Sequence, residues 1–361
     1  MSDQIFQDAL VFTGGGTGGH YFPAIALAEG ARERWPDRPI AFVGARRGIE
    51  AKQLPNSSWP HLLLDVEGFL GRSPLRVARS AFRLWKAWHQ LVGIWRVQRP
   101  WAVVGTGGYA SAPSLLAART LGIPYFIHES NAAPGALVRF LGKGAKRVWC
   151  GMEGVQGHLP GASCLMVGTP VRAGFLRAFR PLEDLVPPHR LLVLGGSGGA
   201  RALNQSLMAF GPGLLEAFPD WEILHQTGRL SFEILDQHPH HPRHRLVPFL
   251  DDMDTAMEEA TLVLSRSGAS TCSELQVCGR PAVLVPLPTS AGDHQRLNAL
   301  AMAGDGRAEV VEEGPDFVLQ LRLALERLMG RADRRGWLSR PEPNTSVQQC
   351  LGDLETQALY R

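Results

Sequence analysis

The first ten residues, MSDQIFQDAL, hold two aspartates and neither lysine nor arginine. A secretory signal needs a cationic start, so none is expected here. No apolar run approaches the roughly 20 residues that cross a bilayer. The chain is therefore expected in the cytosol, free or lying on a membrane. Its five cysteines, Cys150, Cys164, Cys272, Cys278 and Cys350, are odd in number and form no C-x-x-C pair. That spacing offers neither a disulfide framework nor a zinc site and predicts reduced thiols. The formal net charge of +3 is too small for wholesale nucleic-acid binding, so basic character that matters must be local. One long stretch, Gly68 to Pro100, has no acidic residue at all.

What is present is the composition of an ordinary globular protein, 45% apolar and 20% charged over 361 residues. That length suits two domains with a core each. Internal repeats give the plan. ALVFTGGGTGGH and RLLVLGGSGGAR both run from an apolar strand into a glycine-rich turn, with Gly15–His20 matching Gly195–Ala200, 180 residues on. A second pair, AVVGTGGYASAP from Ala102 and LVLSRSGASTCSEL from Leu262, repeats at 160 residues. In each, a strand leads into a helical stretch, then a Gly and Pro turn and another strand. Each half thus reads as an α/β domain on a parallel sheet. Gly168 and Pro170 interrupt the pattern. The predicted domains are residues 1–168 and 169–340, and within 341–361 a helical stretch, Thr345 to Leu359, is available to return to the first half. Ligands of open parallel sheets bind beyond the carboxyl ends of the strands, where these loops lie. Two such domains facing across a cleft suit a reaction that joins two substrates.

Four loops carry the chemistry: Gly14–Gly19, Gly107–Gly108 with Tyr109, Gly195–Gly199 around Ser197, and Ser267–Thr271. Glycine lets the backbone approach a diphosphate, and the helix that follows offers N–H groups and a positive dipole end. A tight strand-to-helix turn also needs glycine on steric grounds alone. The number and symmetry of the loops point to phosphate recognition in both halves. Gly14, Gly16 and Gly19 also fit G-x-G-x-x-G, but a nicotinamide site expects an acid about 20 residues beyond it. After IAFVG come Ala45, Arg46 and Arg47, with no acid until Glu50. That disfavours NAD and leaves NADP open through the two arginines.

His20 enters the helix after the first loop, where the positive helix end favours the neutral ring a general base requires. A capping or packing histidine is the alternative. Glu274, seven residues into the second-half loop and helix, is either a ribose acceptor or a surface acid favoured by the dipole. Asp252-Met253-Asp254 matches a cation-holding D-x-D, but Asp251 and Asp252 stand where an N-cap is expected, and capping is preferred. His238, His240, His241 and His244, broken by Pro239 and Pro242, read as a solvated loop rather than a metal site. No metal ligand set is assigned.

Within the acid-free stretch, Arg72, Arg76, Arg79, Arg83 and Lys86 fall in a helical stripe about 80° wide, with Leu75, Ala78, Phe82, Trp85, Trp88 and Val92 on the other side. Either the apolar side faces the protein's own core, or Arg76, Arg79, Arg83 and Lys86 meet anionic headgroups while Phe82 and Trp85 insert.

Over residues 8 to 310, GGTGGHYFPAIALAE, GGYASAP, HESNAAPG, GTPVR, GGSGGARALN, FLDDM, SRSGASTCSEL and DHQRLNA resemble, in order, the motifs of the MurG family. These are bacterial glycosyltransferases that add N-acetylglucosamine to undecaprenyl-diphosphate-linked muramoyl-pentapeptide (lipid I) to give lipid II. The resemblance implies a GT-B fold, with the acceptor on the N-terminal domain and UDP-GlcNAc mainly on the C-terminal one. It implies an inverting reaction in peptidoglycan synthesis without metal or other cofactor, at the cytoplasmic face of the inner membrane. Partners would be lipid I, UDP-GlcNAc, the anionic membrane surface and other cell-wall and division proteins, with no nucleic acid. Gly16, His20, Gly107, Gly108 and Tyr109 would serve the acceptor, with His20 the candidate base. Thr17, Gly18 and Gly19 would approach the sugar and diphosphates, Asn131 the donor sugar, and Arg172 the nucleotide or hinge region. Ser197 would donate to a UDP phosphate and Leu250 would border the uracil. Ala269, Ser270, Thr271 and Glu274 would wrap the nucleotide, with Glu274 on the ribose, and Gln295 would contact GlcNAc. The family more often has GGSQGA, HEQN and GNPVR. Here Gly198, Ser130 and Thr169 replace the Gln, Gln and Asn, and Gly292 a more usual acid.

Two rival readings stand beside this one. An NADP-dependent oxidoreductase would depend on Arg46 and Arg47; a non-enzymatic membrane-surface protein would use the Arg72–Trp95 segment alone.

Overall fold

The computed structural model describes residues 4–68, 74–131, 133–177, 181–196, 199–290, 293–304, 306, 308–330 and 344–359. Ser197, Gly198, Arg72 and Gly292, singled out above, lie outside the described residues. The chain forms two compact units, Met1–Arg172 with Asn344–Arg361, and Ala173–Pro343.

The first unit holds β1 (Leu10–Thr13), α1 (Gly18–Arg34), β2 (Ile40–Ala45), α2 (Glu50–Gln53), β3 (His61–Leu64), α3 (Pro74–Val97), β4 (Ala102–Gly105), α4 (Ala112–Leu121), β5 (Tyr125–Glu129), α5 (Ala136–Leu141), β6 (Arg147–Cys150) and β7 (Cys164–Met166). The second holds α6 (Ala173–Arg177), β8 (His189–Leu194), α7 (Arg201–Ala217), β9 (Trp221–Gln226), α8 (Arg229–Leu235), β10 (His244–Val247), α9 (Met253–Glu259), β11 (Leu262–Ser265), α10 (Ala269–Cys278), β12 (Ala282–Leu284), α11 (His294–Gly304), β13 (Ala308–Val310) and α12 (Phe317–Met329). The last helix, α13 (Ser346–Leu359), belongs to the first unit.

The sheets run β3-β2-β1-β4-β5-β6-β7 and β10-β9-β8-β11-β12-β13. Every pairing in both is parallel. Central strands such as LVFT, AVVG and LVLS are buried throughout, because helices cover both faces and leave no solvated side for polar residues. The two repeats lie at equivalent places. β1 and β4 are neighbours where the strand order reverses, and so are β8 and β11. The four loops read from the sequence therefore leave the carboxyl ends of the strands that border each switch point, where open sheets bind ligands.

The last helix packs on α1, with a Cβ on Gly30 within 3.2 Å of Leu351, and Asp353 accepts from Trp149 Nε1 (2.8 Å) and pairs with Arg147 (3.0 Å). All five cysteines are free.

Candidate active site

In the first unit, loops after the adjacent strands β1, β4 and β5 bring together Gly14–Gly19, Gly107–Tyr109 and residues 130, 131 and 133–135. Thr17 caps α1 from extended backbone, so Gly18 and Gly19 form its first turn, at the positive end of the helix dipole. Two residues on, the partly exposed His20 holds its Nδ1 3.1 Å from Thr17 Oγ1. Its carbonyl accepts from Thr106 Oγ1 (2.6 Å). Its ring lies against the next loop, since a Cβ on Gly107 would stand 2.7 Å from His20 Cδ2. Gly108 has φ +76°, and a Cβ there would overlap the Gly15 carbonyl oxygen, so glycine is required on both conformational and steric grounds.

Gly16, with φ +84°, is held from two sides. The Tyr109 ring covers it, a Cβ on Gly16 falling 2.6 Å from Tyr109 Cε1, and the Tyr109 hydroxyl donates to the Arg47 carbonyl. On the other side its N–H donates to both carboxylate oxygens of Glu50, at 3.1 and 2.9 Å. That amide is spent on a protein carboxylate, so of the residues expected to serve the acceptor, Gly16 offers shape rather than its N–H. The only sequence signal for Glu50 was its standing first among the acids after β2.

Asn131 follows β5 and is oriented by Glu129, which the sequence reading left without a role. Glu129 Oε1 accepts from the Asn131 backbone N–H (3.0 Å) and Nδ2 (2.9 Å), while Oε2 accepts from Gly135 N (2.9 Å). Beside it the wholly buried His128 donates from Nε2 to the Gly168 carbonyl (2.9 Å), which leaves Nδ1 to accept from Ser130 Oγ (3.2 Å). Burial, opposed by the Gly168 bond and aided by His20, lowers its pKa to about 4. Arg172 places its guanidinium 4.5 Å from the Phe22 ring centroid.

In the second unit the loops are tied by side chains that the sequence reading missed. At the end of β9 the buried Gln226 donates from Nε2 to the Gly196 carbonyl (3.1 Å) and accepts from Leu250 N (3.0 Å). One amide thus joins the glycine loop after β8 to the FLDDM loop after β10. Asn204 on α7 donates to the Thr227 carbonyl (2.9 Å) and takes a hydrogen bond from His225 Nε2 (3.0 Å). His225 Nδ1 then accepts from His244 Nε2 at 3.2 Å. Ala269, Ser270 and Thr271 open α10, and Glu274 lies farther along the same helix. The Ser267 hydroxyl donates to the Gln295 carbonyl (2.8 Å), and Gln295 Oε1 accepts from Leu287 N (3.0 Å), leaving the amide nitrogen as its donor end.

Several expectations need correction. His244 is no loop residue: it is buried on β10, while His238 and His240 are exposed. Asp252 does occupy the N-cap of α9, but its side chain makes no capping hydrogen bond. Arg46 Nε donates to the Leu63 carbonyl (3.2 Å), and Arg47 pairs with Glu67 (3.2 Å) and Asp65 (3.7 Å), so both cations are engaged within their own unit. Among the described residues no group of three or more His, Cys, Asp or Glu is placed to hold a metal ion.

On α3 the core side is formed by Ala87, Leu91, Val92 and Trp95, against α4 and the sheet. Of the apolar set expected to face together, Leu75 (85% exposed), Phe82 (63%) and Trp85 (52%) stand in solvent. Phe82 and Trp85 stack with ring centroids 5.8 Å apart, and Arg76, Arg79 and Lys86 are exposed on the same helix. Arg83 is the exception to the cationic stripe. It turns inward to Glu67 (3.2 Å) and Asp65 (3.6 Å), because those two carboxylates stand beside its turn of the helix. Among the described residues no helix is long and apolar enough to cross a membrane.

Residues 10–150 match the glycosyltransferase family 28 N-terminal domain and residues 190–334 the glycosyltransferase family 28 C-terminal domain. The UDP-N-acetylglucosamine--N-acetylmuramyl-(pentapeptide) pyrophosphoryl-undecaprenol N-acetylglucosamine transferase of Myxococcus xanthus is 34% identical over 357 residues, covering 96% of this chain and 93% of that protein. The chain belongs to the MurG family. The family member of the same name from Syntrophotalea carbinolica is 41% identical over 308 residues, 84% of this chain and 85% of that one. The crystal structure of Acinetobacter baumannii MurG superposes with a TM-score of 0.65 at 28% identity, covering 97% of this chain and 99% of that one. The two parallel-sheet units are thus those of the GT-B fold that MurG proteins share.

Proposed function

We infer that this chain transfers N-acetylglucosamine from UDP-GlcNAc to the muramoyl 4-hydroxyl of undecaprenyl-diphosphate-linked MurNAc-pentapeptide, giving lipid II. The observation that carries this reading is the near end-to-end similarity, at 34% identity, to a transferase of that name, with both family domains present. In this reaction His20 Nε2 takes the proton of the 4-hydroxyl as its oxygen attacks the anomeric carbon from the face opposite UDP. The bond from that carbon to the diphosphate oxygen breaks, UDP leaves with the electron pair, and the anomeric configuration inverts. Thr17 supports the base: when its hydroxyl accepts from Nδ1–H, the lone pair is left on Nε2. The N-terminus of α1, with Thr17, Gly18 and Gly19, is suited to a diphosphate, and that of α10, with Ala269, Ser270 and Thr271, to the departing UDP. Glu274 serves the ribose, Leu250 the uracil, and Asn131 and Gln295 the sugar; Tyr109, Gly107 and Gly108 shape the acceptor side.

The exposed Leu75, Phe82 and Trp85 among Arg76, Arg79 and Lys86 support peripheral attachment to an anionic membrane surface, where a lipid-linked acceptor resides. The deciding experiment is UDP release from UDP-GlcNAc with and without a short-chain lipid I analogue. Acceptor-dependent release is expected. UDP binding without such release would remove the acceptor assignment.

A further inference from the structure

Glu50 is a carboxylate with no solvent exposure, lying under the first glycine loop. It accepts from Gly16 N with both oxygens (3.1 and 2.9 Å) and from Ala45 N with Oε1 (3.1 Å), which joins the loop after β1 to the end of β2. Its space is made by three glycines. A Cβ on Gly15 would overlap the carboxyl group, one on Gly44 would stand 2.8 Å from Cγ, and one on Gly48 would stand 2.5 Å from Oε2. Burying a charge this way is costly unless hydrogen bonds offset it, and here the offsetting donors are the backbone N–H groups of Ala45 and of Gly16, the latter in the loop that leads into Thr17 and His20. Tyr109 closes the other side of Gly16.

We propose that Glu50 is a positioning residue for sugar transfer: its carboxylate holds Gly16 against Tyr109 and so sets the place of Thr17, the first turn of α1 and His20 relative to the acceptor. This rests on the transfer reading above. The bidentate acceptance makes the requirement specific. A glutamine of the same shape keeps one accepting oxygen but turns an NH2 toward a backbone N–H, and two donors then oppose each other across a buried contact. The same bonds remove the Gly16 N–H from ligand binding.

The test compares the full-length wild-type chain with Glu50→Gln and Gly48→Ala, the latter pressing a methyl group on the carboxylate while keeping its charge. Melting temperature, UDP Kd, and kcat and KM for a short-chain lipid I analogue are measured for each. The expected result is a folded Glu50→Gln protein whose UDP Kd stays within twofold of wild type, while kcat/KM for the acceptor falls at least tenfold. Gly48→Ala should show a smaller loss in the same direction. A folded Glu50→Gln protein with unchanged kcat/KM overturns the proposal, as does parallel loss of UDP binding. If Glu50→Gln does not fold, Gly48→Ala decides alone, unchanged acceptor kinetics overturning the proposal; failure of both to fold assigns Glu50 to folding only and overturns it too. A wild-type chain that binds UDP but transfers no sugar overturns the transfer reading, and the proposal falls with it.

Discussion

Thr17 Oγ1 lies 3.1 Å from His20 Nδ1, three residues away across the first turn of α1. When the hydroxyl accepts from Nδ1–H, Nε2 is left unprotonated and is the ring nitrogen that can act as base. His20→Ala should lower kcat by about 10²–10⁴. Thr17→Val, which keeps the shape and removes the acceptor, should lower kcat by roughly tenfold, about 1.4 kcal/mol of barrier. Steady-state rates at saturating UDP-GlcNAc check both, and an unchanged rate in His20→Ala would remove His20 as the base.

Gln226 bonds Gly196 and Leu250 with the two ends of one amide. Gln226→Leu removes both bonds, each partly buried, at about 1 kcal/mol per bond. Because the two groups belong to the loops assigned to the nucleotide, UDP affinity should fall by about tenfold or more. Calorimetric titration with UDP, alongside a melting curve, separates lost binding from lost fold.

The buried pair His225 and His244 predicts acid sensitivity. Burial lowers the pKa of His225 to about 3 and that of His244 to about 4, with His244 further depressing His225. The ordinary value is near 6.5, so the unfolded chain binds these protons first as pH falls. The stability that the neutral rings contribute is complete above about 6.5 and is lost as pH drops toward the folded values, by roughly 2 kcal/mol per ring at pH 5. Urea unfolding at pH 7 and pH 5 measures this. His225→Gln/His244→Gln should flatten the difference between the two.

On α3 the exposed aromatics and the inward-turned arginine should separate. Phe82→Ser/Trp85→Ser should weaken binding to vesicles containing anionic lipid at least tenfold with little change in melting temperature, because both rings already stand in solvent. Arg83→Ala should do the reverse. Its guanidinium offsets Glu67, a carboxylate only 11% exposed, so the loss should appear in stability and leave vesicle binding near wild type. Co-sedimentation at two salt concentrations and thermal melts check the pair.

The fold was legible because its signals are local. An apolar strand followed by glycine and a helical stretch, repeated at two spacings, marks parallel strands and the loops that leave them, and the repeats lie on β1 and β8, β4 and β11. Thr17 and His20 were each legible in the sequence, but their contact was seen only in the structure, where three residues across the first turn bring the side chains together. The α3 stripe shows where local reading stops. Helical periodicity gave its faces, but the same pattern fits burial or exposure, and only the packing of Ala87, Leu91 and Trp95 on the neighbouring layer decided that Phe82 and Trp85 face water.

By itself the sequence determined the α/β class, the two-domain plan, the family and the places of the glycine-rich loops, since each follows from periodicity, glycine placement and motif order along the chain. Tertiary structure alone decided that Glu50 lies under a loop 34 residues away, that Gln226 joins loops from two strands, that Arg83 turns inward and that His225 and His244 are hydrogen-bonded to each other. These depend on which backbone amides and charges meet a side chain through space, and contacts between distant segments leave no period in the sequence that carries them.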